Sequence, residues 1–122
     1  MGLTRLNLVV LRVADIDRSA SFYSRLGLTF TKHAHGTGPQ HYASESDGFV
    51  FELYPSSAEH PPTTSVRVGF AVANVDDVLS NLATSMDATI IVGARNTEWG
   101  RRAVIADPDG HRIELLASIE AD

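Results

Sequence analysis

Two glutamates stand in matching settings, Phe51-Glu52-Leu53 and Ile113-Glu114-Leu115, with positions 52 and 114 separated by an offset of 62. In an alternating, partly β-branched run, a carboxylate points away from the face its neighbours bury. Glu52 and Glu114 are therefore candidate general bases, or candidate ligands of one divalent metal ion. Histidine offers further donors. His33, His35 and His41 surround the glycine-rich stretch His35-Gly36-Thr37-Gly38-Pro39-Gln40-His41, and His41 with Glu52 and Glu114 could supply three ligands to such an ion. The competing reading is that loop histidines are solvated or hydrogen-bonded, and His60 and His111 read as surface residues.

Arginine and tryptophan add recognition chemistry. Arg12, Arg102 and Arg112 lie on or near the same strand parity as the two glutamates, where guanidinium groups could hold an anionic ligand or simply be solvated. Trp99, the sole tryptophan, precedes a strand on that side. It either stacks on a ligand or packs at the rim of the joint between the two halves of the chain.

The elements that must position these groups come in two copies. Leu11-Arg12-Val13-Ala14-Asp15-Ile16-Asp17 runs parallel to Phe70-Ala71-Val72-Ala73-Asn74-Val75-Asp76, and each is followed by an apolar stripe at helical spacing. Asp15 and Asn74 are placed as N-caps, and Gly27 as a left-handed helix end. Strands are expected at about 6–13, 28–33, 41–45, 49–54, 65–73 and from 89, with a loop at 96–100 and a final hairpin over 102–116 turned by Asp107-Pro108-Asp109-Gly110. Each half reads β-α-β-β-β: one module over about 4–54, a proline-rich linker over 55–64, and a second module over about 65–118, in a single domain spanning 1–122.

Composition bounds the partners. The chain of 122 residues has no cysteine, which excludes disulfides, zinc knuckles and thiol nucleophiles. Its net charge of −5 and scattered arginines argue against nucleic acid, and no apolar run reaches membrane-spanning length. The N-terminus lacks a signal-peptide plan, so a cytoplasmic protein with a small organic molecule as partner is the expectation. Short modules with apolar edge strands also suggest a homodimer.

The doubled module, the Leu11-Arg12-Val13-Ala14-Asp15-Ile16-Asp17-Arg18-Ser19 segment followed by Phe22-Tyr23, and Asp107-Pro108-Asp109-Gly110-His111 with Glu114 together resemble the vicinal oxygen chelate superfamily, which includes glyoxalase I, fosfomycin and bleomycin resistance proteins and extradiol dioxygenases. The resemblance implies an α+β fold: two βαβββ modules forming a curled mixed sheet around a cavity, helices outside. Parity fits this, because Val9, Leu11, Val13, Phe51, Leu53, Val68, Phe70, Ile113 and Leu115 share an apolar face. Leu8, Val10, Arg12, Glu52, Tyr54, Arg67, Arg112 and Glu114 share the other, a mixed face suited to a ligand.

Metal-dependent members of that superfamily carry a His or Glu at four positions, which fall here on Leu8, Glu52, Arg67 and Glu114. Leucine has no lone pair to donate and arginine is a permanent cation, so the resemblance implies a protein without the metal cofactor. Arg67 is then expected to bridge Glu52 and Glu114 in place of the ion, unless all three line an open, wet groove. The functional expectation is a glyoxalase- or bleomycin-resistance-like small-molecule-binding protein. The alternative is an enzyme, either a glyoxalase-like lyase or isomerase or a dioxygenase with a non-standard metal set, or a metal-free catalyst using Glu52 or Glu114 as base.

Overall fold

In a computed structural model that describes residues 2–119, the elements run β1 (Leu8–Val13), α1 (Ile16–Ser24), β2 (Thr31–His33), β3 (His41–Ser46), β4 (Phe49–Pro55), β5 (Arg67–Ala71), α2 (Val75–Leu82), β6 (Thr89–Thr97), β7 (Gly100–Ala106) and β8 (Arg112–Ala117). Both helices start as their caps dictate. The Asp15 carboxylate accepts from the Arg18 amide at 3.1 Å, and the Asn74 side chain from the Asp77 amide at 3.0 Å. After α1, Gly27 turns the chain at φ +111°, a conformation that a residue with a Cβ rarely adopts.

The strands form two four-stranded sheets, ordered β1-β4-β3-β2 and β5-β8-β7-β6. In each, the module's first and last strands pair in parallel and the remainder antiparallel. The two expected βαβββ modules are thus separate mixed sheets, not a closed barrel. The helices cover one face of the strands. From α1 come Ala20, Phe22 and Tyr23 and from α2 Val75, Val78 and Leu82, packed in one core with Leu11, Val13, Phe51, Leu53, Ile113 and Leu115. Those six strand residues are at most 3% exposed, so truncating any large one to alanine should cost about 2–5 kcal/mol.

Aromatic contacts join the modules. Tyr23 and Phe51 of the first meet Phe70 of the second, with Phe51 and Phe70 edge-to-face at 5.5 Å between ring centres. The turn before β8 docks on the start of α1, where Asp109 accepts from the Ala14 amide at 2.9 Å and from the Ser19 hydroxyl at 3.3 Å. The linker covers part of the β1 edge. Thr63 Oγ1 accepts from the Arg12 amide, and its own amide donates to the Arg12 carbonyl at 3.1 Å.

Two expectations change. The strand from Thr89 continues to Thr97, so Asn96 and Thr97 lie in β6 rather than in a loop, and the turn narrows to Glu98 and Trp99. Thr97 closes it by accepting from the Trp99 amide and donating to the Gly100 carbonyl. His111 is not a surface residue; it is 2% exposed beneath the Asp107 carboxylate. His60 is exposed, as expected.

Candidate functional site

The face of each sheet turned away from the helices carries the polar residues. On the first, the parallel register sets Val10 beside Glu52 and Arg12 beside Tyr54, while β3 brings His41 alongside. The His41 ring lies parallel to Tyr54, 4.1 Å between centres, and the Arg12 guanidinium sits over the tyrosine at 4.8 Å. His41 is 2% exposed.

Its tautomer follows from its neighbours. Nδ1 lies 3.3 Å from the Pro39 carbonyl, which can only accept, so this nitrogen carries the proton. In the neutral ring Nε2 is then an acceptor, 3.3 Å from the Tyr54 hydroxyl and 3.5 Å from the Glu52 carboxylate. The hydroxyl can donate to Nε2. Tyr54, His41 and Glu52 thus form a small polar cluster. The His33 and His35 rings lie 5.8 and 5.3 Å from that of His41, both exposed.

On the second face, Glu114 pairs with Arg102 of β7 and has Gly69 opposite it on β5. Arg67 does not bridge the two glutamates. It is exposed beside Arg112, and among the described residues no carboxylate lies within ion-pair distance of it. The hairpin register explains why Arg102 takes its place: Arg102 is paired with Leu116, one same-face step from Glu114, within reach of a long side chain. The Asp-Pro-Asp-Gly turn sets that register, whereas the diagonal contact depends on the reach of the arginine.

The remaining candidates are placed as follows. Leu8 and Val10 lie exposed on β1, at one edge of the first sheet, and Arg112 is exposed on β8. Trp99 is 73% exposed and is not packed on the module joint; with Arg95, Thr97, Arg102, Glu114 and Leu116 it lines a cavity of about 270 Å³. Arg95, facing Arg102 from β6, was not among the sequence candidates. The cavities on the first face, of about 300 and 390 Å³, draw their walls from the first module and the linker alone.

Only Asp107, Asp109 and His111, among the described residues, form a group of three donors all within 4.8 Å of one another. Their carboxylate oxygens and His111 Nδ1 are already engaged, while His111 Nε2 is buried without a hydrogen-bond partner. Asp107 accepts from the Tyr23 hydroxyl, from His111 Nδ1 at 2.7 Å and from the Asp109 and His111 amides, so the group is a staple between modules. Although burial opposes ionisation, the hydrogen bonds from His111 and Tyr23 hold the Asp107 pKa below the usual carboxylate value. The same bond to Asp107 raises that of His111, and burial with the aspartate charge raises that of Tyr23.

Comparison with known proteins joins these observations. The model of the Glyoxalase/Bleomycin resistance protein/Dioxygenase superfamily matches residues 5–115. The chain belongs to that superfamily. It is similar to a probable lactoylglutathione lyase of Vibrio cholerae, 28% identical with 92% of this chain and 89% of that protein covered. It is also similar to the glutathione transferase FosA of Serratia marcescens, 29% identical over 93% of this chain and 80% of that one. TnmS3, an antibiotic binding protein from Streptomyces sp. CB03234, shares the fold with a TM-score of 0.77 at 24% identity, covering 98% of this chain and 99% of that one.

Within this glyoxalase-type fold the four superfamily metal positions do not fit an ion. Leu8 offers no donor, Arg67 is cationic, and the Glu114 carboxylate is already neutralised by Arg102. Glu52 alone is left as a ligand, with His41 rather than Leu8 next to it.

Proposed function

We propose that this superfamily member is a small-molecule-binding protein that works without the superfamily's metal ion, holding an organic ligand against the open faces of its sheets. The observation that carries this reading is the loss of the metal's ligands: Leu8 and Arg67 occupy two of the four positions, and the carboxylate at a third, Glu114, is held by Arg102. The antibiotic-binding neighbour supports the same class of function.

A second reading is favoured by one feature. The Tyr54–His41–Glu52 group could act as a metal-free acid–base pair, with Glu52 or His41 taking a proton from a bound substrate. Glu114, engaged by Arg102, is the weaker base of the two original candidates.

Elemental analysis tests the main reading. The purified protein is expected to carry no stoichiometric nickel, zinc, iron or manganese, and these ions should leave its melting temperature unchanged. One divalent ion per chain, lost on Glu52→Gln or Glu114→Gln, would overturn it in favour of a metal-dependent lyase, isomerase or dioxygenase.

A further inference from the structure

The two open faces differ in charge. On the second sheet the strand registers align Arg67 with Arg112, Arg102 with Leu116 and Arg95 with Arg102, and alternation along β8 puts Arg112, Glu114 and Leu116 on one side. Four guanidinium groups therefore share a face with one carboxylate, and Glu114 neutralises only Arg102. Among the described residues Arg67, Arg95 and Arg112 have no carboxylate in ion-pair range, and all three are exposed. The first sheet shows no such excess, since Glu45 and Glu52 stand there against Arg12. In a chain whose net charge is −5, this cationic surface is a local feature.

The cavity on this face pairs charge with a ring. Arg95 and Trp99 line it together, and the indole, 73% exposed, offers a flat apolar surface beside a guanidinium with unused donors. Its volume of about 270 Å³ has room for a one- or two-ring molecule. We propose that this face selects a planar organic anion, its ring laid on Trp99 and its carboxylate, sulfonate or phenolate oxygen held by Arg95, with Arg67 and Arg112 extending the attracting field. The assignment rests on the small-molecule reading above and narrows it to a ligand class. Arg102 has a positioning role, since its pairing with Glu114 removes the one negative charge that would repel the anion.

Titration calorimetry with 2-naphthoate, its neutral isostere 2-naphthamide and 2-naphthylmethylammonium tests the assignment on the full chain. The naphthoate should bind about ten-fold more tightly than the amide, one charge-assisted contact's worth, and the ammonium least of all. High salt should shrink that advantage. Arg95→Gln should abolish it, whereas Arg101→Gln, on the same strand as Arg102 but turned to Asp76 of α2, should leave it intact. Trp99→Ala should weaken naphthoate and amide alike. Equal binding of the two, or an advantage that survives Arg95→Gln, overturns the anion assignment while leaving a small-molecule site. Failure of all three probes to bind overturns both.

Discussion

Asp107 and His111 show how a polar pair can be worth more to the fold than to chemistry. Asp107 gathers four donors from both modules, so Asp107→Ala would leave Tyr23 and His111 buried without their partner, at a cost of about 3–5 kcal/mol in urea unfolding. The pair also fixes a pH dependence. His111, whose pKa is raised, contributes fully below the ordinary imidazole value of 6.5 and loses that contribution as pH rises through its folded-state value. Asp107, whose pKa is lowered, contributes fully above the ordinary value of 3.8 and loses its share as pH falls through its folded-state value. Thermal stability should therefore be highest between those two values, and His111→Gln should lower it and flatten the decline on the alkaline side. Parallel melting profiles for the two proteins from about pH 5 to pH 8 would remove His111 from this account. None of this was legible at residue level in the sequence. A histidine after a surface turn reads as solvated, and its burial depends on Tyr23 arriving from the other module. The same limit hid Arg102 from Glu114: parity reports which face a side chain takes, while a diagonal pair depends on reach.

At the scale of elements the sequence was far more informative, because its signals there are local. The caps Asp15 and Asn74, the Gly27 stop, the Asp47-Gly48 turn at φ +52° and +80°, and the alternation of Phe51-Glu52-Leu53 each determine a piece of backbone without help from distant residues. The β6–β7 turn is three residues shorter than the expected 96–100 loop, since Asn96 and Thr97 lack apolar alternation yet are held in the strand by pairing with Arg101 and Gly100. Gly100 is what makes that hairpin fit. Its φ is +137°, and an added Cβ would stand 2.4 Å from the Ala117 carbonyl, a backbone atom that cannot step aside. Gly100→Ala should cost at least about 1–3 kcal/mol in strain, and should disturb the neighbouring Trp99 and Arg102 as well. Gly69 provides the contrast. There the nearest atom would be Glu114 Oε2 at 3.7 Å, an ordinary contact, so Gly69→Ala should change stability by no more than about 0.5 kcal/mol. Equal urea midpoints for the two variants would show that the close approach at Gly100 does not constrain the hairpin.

For the whole molecule, the repeat explains why the fold could be read and the site only halfway. Two copies of one module dictate two sheets, but how their open faces meet is a matter of assembly, and the cavities on those faces each draw their protein walls from one side. Leu3, Leu6, Leu8 and Val10 are exposed along the N-terminal stretch and the β1 edge, an apolar strip that a second copy would cover, so a homodimer is the expected state and sedimentation should show it at micromolar concentration. The vestigial metal positions offer a way to ask where the faces go. In a Leu8→His, Arg67→His, Arg102→Gln variant, Glu114 is released from its cation and two histidines join two glutamates, a donor set that holds zinc or nickel if the positions converge. Should the first sheet of one copy face the second sheet of another, the variant gains metal only as a dimer, and zinc at a hundred times its Kd would add about 2.7 kcal/mol of stability. Breaking the dimer with Val10→Lys should then abolish that gain. Metal stabilisation that persists in the monomer would mean that the four positions converge within one chain. A dimer indifferent to zinc would mean that the open faces never meet, and that each sheet binds its ligand alone.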